Sequence, residues 1–237
     1  MENKEHYYIL SELFMYPREG YKEKVDACME MLTNHYPEAA QSFKRFHNFI
    51  KSKNIFEIEE IFGITFHIQA ICYLDIGYVL FGEDYSRGEF LLNMKKEQAK
   101  IKHDCGEELA DNLPHVLQLM AISTDQTFIE ELAVRALIPA LEKILDEFKA
   151  SRIELKQKVI RKKQKTIILE NIVDGNIYQN ALQALYIVLK KDFEGITFND
   201  KKIKQSLDNF IPTCSTCAPA KKEKVKTKKE PLKTIAS

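Results

Sequence analysis

Between residues 66 and 81, twelve of sixteen side chains are apolar, and few architectures can house such a run. A helix built from it is hydrophobic nearly all round, which suits one surrounded by other helices. It falls short of the ~20 apolar residues that a bilayer span needs, and it carries His67, Gln69 and Asp75. The run therefore predicts the central helix of a soluble domain. Gly82 follows the last apolar position, where a helix C-terminus favours a residue at ease with positive φ. Ser86 with Glu89 three residues on reads as a capping box. Two helices are thus expected to meet across Glu83, Asp84 and Tyr85.

The rest of the chain fits a helical frame around that element. Only eight glycines and seven prolines occur in 237 residues, which favours helices over sheets, and 45% hydrophobic content supplies a sizeable core. A first helix is expected over residues 4–15, with Tyr8, Leu10, Leu13 and Phe14 inward, ending before Pro17. A second covers residues 20–34. A third starts near Pro37 and turns Phe43, Phe46, Phe49 and Ile50 to the core. Residues 55–62 read as a short helix or ordered lead-in, with a bend at Gly63.

After the joint, residues 87–103 are expected to be helical, with Phe90, Leu91, Met94 and Ile101 inward. Asp111 or Asn112 then caps a helix with Pro114 in its first turn. The steadiest three-four spacing runs over residues 126–150, capped by Thr124 or Asp125 and kinked at Pro139. Residues 176–190 return to amphipathic order through Ile177, Leu182, Leu185, Tyr186 and Leu189. A last short helix is placed at residues 200–210. Neither strand alternation nor an internal repeat is evident. The predicted fold is all-α, a single-domain helical bundle over residues 1–211, followed by a disordered lysine-rich tail at 212–237.

A formal charge of zero conceals segregation. Residues 152–165 carry +6 and residues 221–233 carry +5, so the remainder is −11. An acidic body suits a cationic peptide and disfavours nucleic acid. The basic runs alone would give weak, salt-sensitive contacts with acidic lipid or nucleic acid. The N-terminus has no apolar run behind a basic patch, and the five cysteines are an odd number, so the expected location is cytoplasmic and reducing.

Cys28 and Cys72 fall among apolar helical positions and read as core fillers. Cys105 sits in a loop beside Gly106 with no partner at metal spacing. Cys214 and Cys217 form a C-x-x-C, half of a metal site or a redox pair; metal delivery or redox work through them is the alternative function. The six histidines, at 6, 35, 47, 67, 103 and 115, show no metal-ligand pairing. G-x-S-x-G, Walker and H-E-x-x-H motifs are all missing, so neither an enzyme nor a resident cofactor is expected. Asp75 stands out, because an unpaired carboxylate inside a buried helix costs several kcal/mol. A tyrosine hydroxyl or basic neighbour satisfies it, or it lines a groove with Tyr78 and Val79 that opens at Asp84. Arg87 is expected to pair with Asp84 or Glu83.

Residues 78–95, YVLFGEDYSRGEFLLNMK, resemble the Tyr-x-x-x-Gly-Asp-x-x-x-Arg-Gly-x-x-Leu-Leu-x-x-Lys run of the nitrate reductase delta subunit family, assembly chaperones of molybdenum enzymes. Residues 108–121, ELADNLPHVLQLMA, resemble the family's second motif, and Leu13, Tyr16 and Pro17 its early Leu-x-Tyr-Pro. More loosely, the spacing of Arg135 and Pro139 resembles a helix of the dimethyl sulfoxide and trimethylamine oxide reductase chaperones. The resemblance implies a helical chaperone that binds the N-terminal leader of a molybdopterin-containing catalytic subunit until its cofactor is inserted, as a monomer or weak dimer without stable membrane insertion. It implies leader contacts in its two motifs. Together with the groove reading, the candidate leader-binding residues are Asp75, Tyr78, Asp84, Arg87, Glu108, Asp111 and His115, with no metal ligands among them.

Overall fold

The structure, a computed structural model, describes residues 4–68, 70–149 and 176–198. The basic run at 152–165, the helix expected at 200–210, the tail with Cys214 and Cys217, and the boundary expected at 211 lie outside the described residues. Those residues form helices α1 (Glu5–Ser11), α2 (Tyr21–His35), α3 (Pro37–Ser52), α4 (Ile55–Phe66), α5 (Ile76–Phe81), α6 (Tyr85–Lys100), α7 (Leu113–Ile122), α8 (Gln126–Leu132), α9 (Ile138–Glu147) and α10 (Tyr178–Asp192). No strand occurs among them beyond one isolated bridge, Asp75 to Asn112. The described part is all-α, and none of its helices is long and apolar enough to cross a membrane.

One connected apolar core links these helices. The main packing is α10 on α3 and α9, α1 on α7, α2 on α3, and α5 on α6 and α9. Tyr178, fully buried at the start of α10, is ringed by Phe46, Phe62 and Phe66 at centroid distances of 5.0, 5.7 and 4.9 Å. Its hydroxyl lies 3.2 Å from that of Tyr21, which in turn donates to the Leu13 carbonyl at 2.7 Å. Two buried hydroxyls thus partner each other and the backbone, as polar groups must inside a core.

The expected central helix over 66–81 is not continuous. Helix α4 runs through Gly63 without the expected bend and ends at Phe66, where the Gly63 carbonyl accepts both the His67 and Ile68 N–H groups at 2.9 and 2.7 Å. The Thr65 carbonyl then takes Ile71 and Cys72 at 2.9 and 3.3 Å, folding an apolar but irregular segment under the core. Ile71, Cys72 and Leu74 are buried there without a helix. Asp75 consequently stands at the N-cap position of α5 rather than inside a helix. Upstream, Asn54 and Glu57 form a reciprocal capping box on α4, with bonds of 3.0 and 2.8 Å.

Other boundaries shift for local reasons. Helix α1 stops at Ser11, and the turns Leu13 to Leu10 and Phe14 to Ser11 carry both side chains inward. Tyr7 faces the core and Tyr8 is exposed, reversing the expectation for Tyr8. Phe43, Phe46 and Ile50 are buried, with Phe49 packed at the rim. Gly82 closes α5 at φ 64°, as its position predicts. Helix α6 begins two residues earlier than a Ser86 cap implies, because Asp84 is the cap. Its Oδ1 accepts the Ser86 N–H at 2.9 Å and the Ser86 hydroxyl at 2.6 Å, so the serine donates where it was expected to accept.

Asp125 caps α8 through the Phe128 N–H at 3.0 Å. Pro139 does not simply kink one long helix. The five residues Ala133–Leu137 widen into a π-turn, with the Ile138 N–H reaching back to the Ala133 carbonyl, and α9 resumes with Pro139 in its first turn. A wider turn relieves the crowding a proline ring imposes on the carbonyl four residues earlier.

Candidate functional site

The short helix α5 is the element on which the candidate residues converge. Its entry is clamped to the start of α7 by two backbone bonds, Ile76 N–H to the Asp111 carbonyl and Leu113 N–H to the Leu74 carbonyl, both 2.9 Å. Asp111 is wholly buried, and its Oδ2 accepts the Gly77 N–H at 3.0 Å. Gly77 is required by this contact. A Cβ there would stand 2.7 Å from Asp111 Oδ2 and 2.9 Å from the Phe90 ring.

Arg87, on the first turn of α6, reaches over this clamp. Its guanidinium lies 3.9 Å from Asp75 and 3.8 Å from Asp111, and its carbon sits 5.1 Å from the centre of the Tyr78 ring. Neither ion pair is short enough for a hydrogen bond. Asp75 also accepts Asn112 Nδ2 at 3.3 Å. Burial and the Asp75 charge push the Asp111 carboxyl up to about 6, against the opposing pull of Arg87 and the Gly77 N–H. The node therefore sets one cation against two carboxylates, one of them poorly supplied with donors.

The sequence-based candidates separate into three groups. Asp75, Tyr78, Arg87 and Asp111 come together in the node. Arg87 pairs there rather than with Asp84 or Glu83, because α6 packs on α5, whose entry is bonded to the start of α7, and this brings Asp75 and Asp111 to the first turn of α6. Asp84 is an exposed helix cap, its carboxyl lowered by the Ser86 hydroxyl and N–H. Glu108 is exposed on the loop before α7. Asn112 occupies the N-cap position of α7 but makes no side-chain capping bond, and Asp111 spends its carboxylate on Gly77, so the expected side-chain cap from either residue is not formed.

His115 belongs to a different constellation. It is buried in the first turn of α7, and its Nδ1 lies 3.0 Å from His103 Nε2. One ring nitrogen from each of His103 and His115 and the sulfur of Cys105 all fall within 4.8 Å of one another. The fold thus gathers residues whose sequence spacing suggested no metal-ligand pairing. Burial lowers both imidazoles, with His103 lowering His115 further, and burial also raises the Cys105 thiol. An H-x-C followed by a histidine at the start of the next helix was the available signal. It was obscured by the loop between them.

Alongside α5 runs a groove of about 720 Å³ formed with α9. Tyr73, Tyr78, Val79, Pro139 and Ile144 give it apolar walls, and Gly82 lies at its end. Glu142, Asp146 and Glu147 make its rim acidic. The remaining charge, Lys143, turns to the Val79 and Leu80 carbonyls at 3.4 and 3.1 Å, where a cation suits the C-terminal end of α5. Asp75 and Asp84 do not line the groove, so its acids come from α9 instead of the α5–α6 joint. A cleft of about 640 Å³ elsewhere, between α1, α2 and the end of α10, is lined by Lys4, Glu5, His6, His35, Lys191 and Asp192 and so carries charges of both signs. The chain matches no protein-family model and no curated protein.

Proposed function

We propose that the chain is a binding protein and not an enzyme: a cytoplasmic assembly chaperone that holds the N-terminal leader of a molybdopterin-containing, nitrate reductase-like catalytic subunit while its cofactor is inserted. The observation that carries this reading is the α5–α9 groove, apolar along its walls and acidic along its rim. An amphipathic leader with arginines places its apolar face on Tyr78, Val79 and Ile144 and its cations against Glu142, Asp146 and Glu147. The residues that resemble the delta-subunit motifs support the same site, since Tyr78, Gly82, Arg87 and Asp111 form or fix its α5 wall.

The node acts indirectly in this scheme. By tying α5 to α6 and α7, Arg87 and Asp111 hold the groove wall before the peptide arrives, which lowers the ordering cost of binding. Because the attraction is carried by a partly exposed acidic rim, binding weakens with added salt. Calorimetric titration with an arginine-bearing leader peptide of such a subunit tests the reading. The wild type should bind, and the combined variant Glu142→Gln, Asp146→Asn, Glu147→Gln should lose about tenfold, or ~1.4 kcal/mol, with helicity unchanged. No binding by the wild type, or equal binding by the variant, overturns it.

A further inference from the structure

The loop between α6 and α7 is built around a buried glutamine and holds the three side chains already seen together. Gln98, almost fully buried, donates through Nε2 to the Ala110 carbonyl at 2.8 Å and accepts from Cys105 Sγ at 3.2 Å through Oε1. The His103 N–H also returns to the Gln98 carbonyl at 3.0 Å, following a left-handed Lys102 at φ 54°. These bonds fix where His103 and Cys105 stand, and α7 fixes His115.

We infer that His103, Cys105 and His115 form a binding site for a borderline-soft divalent cation, Zn²⁺ in the first instance, that clips the α6–α7 loop to the first turn of α7. Two imidazoles and a thiolate are the donor set that such an ion prefers to oxygen-only sites. The two nitrogens stand 3.0 Å apart. Sharing a tetrahedral Zn²⁺ at ~2.0–2.1 Å each would place them roughly 3.3 Å apart, so the rings must part slightly, give up their mutual hydrogen bond and turn both lone pairs to the ion. The sulfur lies within 4.8 Å of a nitrogen of each ring, and it leaves Gln98 and moves inward to reach the metal.

Gln118, buried one turn along α7, stands beside the His115 ring, in the place from which outer partners orient metal-bound histidines. Binding is balanced by one proton. The Cys105 S–H bond breaks, the sulfur–metal bond forms, the proton passes to solvent, and both imidazoles coordinate in their neutral state. The fourth position of the tetrahedron is left to solvent. This site is independent of the leader groove, and its consequence is local: it closes the loop that leads into Asp111.

Titration of the reduced full-length chain with Co²⁺ alone, followed by displacement with Zn²⁺, tests the inference. One equivalent should give a thiolate-to-cobalt charge-transfer band with tetrahedral d–d bands. Cys105→Ser should abolish the charge-transfer band, and the half-exposed His103→Gln should weaken Zn²⁺ binding about 100-fold or more. A Cys214→Ser, Cys217→Ser variant, which removes the other pair of thiols, should keep the full signal. No thiolate band in the wild type overturns the inference. So does a band that survives Cys105→Ser and vanishes with Cys214 and Cys217.

Discussion

Asp192 and Asp111 are both largely withdrawn from water, yet their surroundings move them in opposite directions. Asp192, at the end of α10, receives His6 Nε2 at 2.9 Å and the hydroxyls of Tyr7 and Tyr36 at 2.7 and 2.8 Å. Burial alone would raise its carboxyl, but those three donors outweigh it and hold the group below the ordinary range. Asp111 has the Gly77 N–H, a guanidinium at 3.8 Å and a like-charged neighbour, and it rises to about 6. Donor supply, more than depth, decides whether a carboxylate serves as a fastening or stays uneasily charged. The first arrangement staples α10 to α1 and α2–α3. The second sits behind the wall of the proposed groove.

The largest expected break in this contrast is Arg87→Ala. It leaves Asp75 and Asp111 facing each other without a cation and should cost about 3 kcal/mol at neutral pH, read from the urea midpoint. Gly77→Ala attacks the same node sterically, since its Cβ would meet Asp111 and Phe90; a loss of about 2 kcal/mol is expected in the same assay. On the other side, Tyr36→Phe removes one of three donors and should cost about 1 kcal/mol while raising the Asp192 titration point observed by NMR.

The smallest effect at neutral pH, and the most discriminating, belongs to Asp111→Asn. The folded-state value of about 6 lies above the ordinary 3.8. Between the two, the folded chain keeps a proton that the unfolded chain has released, so Asp111 favours folding at low pH and that advantage is lost as pH rises through about 6. Asp192 has the reverse sign: its contribution is present above the ordinary carboxylate range and is lost as pH falls through its lowered folded value. The stability of the wild type minus that of Asp111→Asn should therefore fall as pH rises from about 4 to about 7. A flat difference would mean that Asp111 is not the uneasy partner.

Much of the helical frame was legible in the sequence. The starts of α2 and α3, the positive φ of Gly82, the Asp125 cap and the inward face of α10 follow from punctuation and periodicity that act within a few residues. The break between Phe66 and Ile76 was not legible, because residues 70–74 are apolar with neither glycine nor proline, and burial of Ala70, Ile71, Cys72 and Leu74 in an irregular segment leaves much the same hydrophobic pattern as a buried helix. The Asn54 and Glu57 capping box follows a local N-x-x-E pattern that the sequence displays. Pairing of Arg87 with Asp111 depends on α6 packing against α5 and on α5 being bonded to the start of α7, contacts that near neighbours in sequence do not reveal. His103, Cys105 and His115 were hidden for the same reason, by a loop whose path is set by the buried Gln98.

Amide exchange mapped with and without an arginine-bearing leader peptide tests the central claim most directly. The account predicts new protection confined to residues 76–81 and 138–147, the two sides of the acidic groove. Protection instead around Lys4, His6 and Lys191, or no change at saturating peptide, would contradict it.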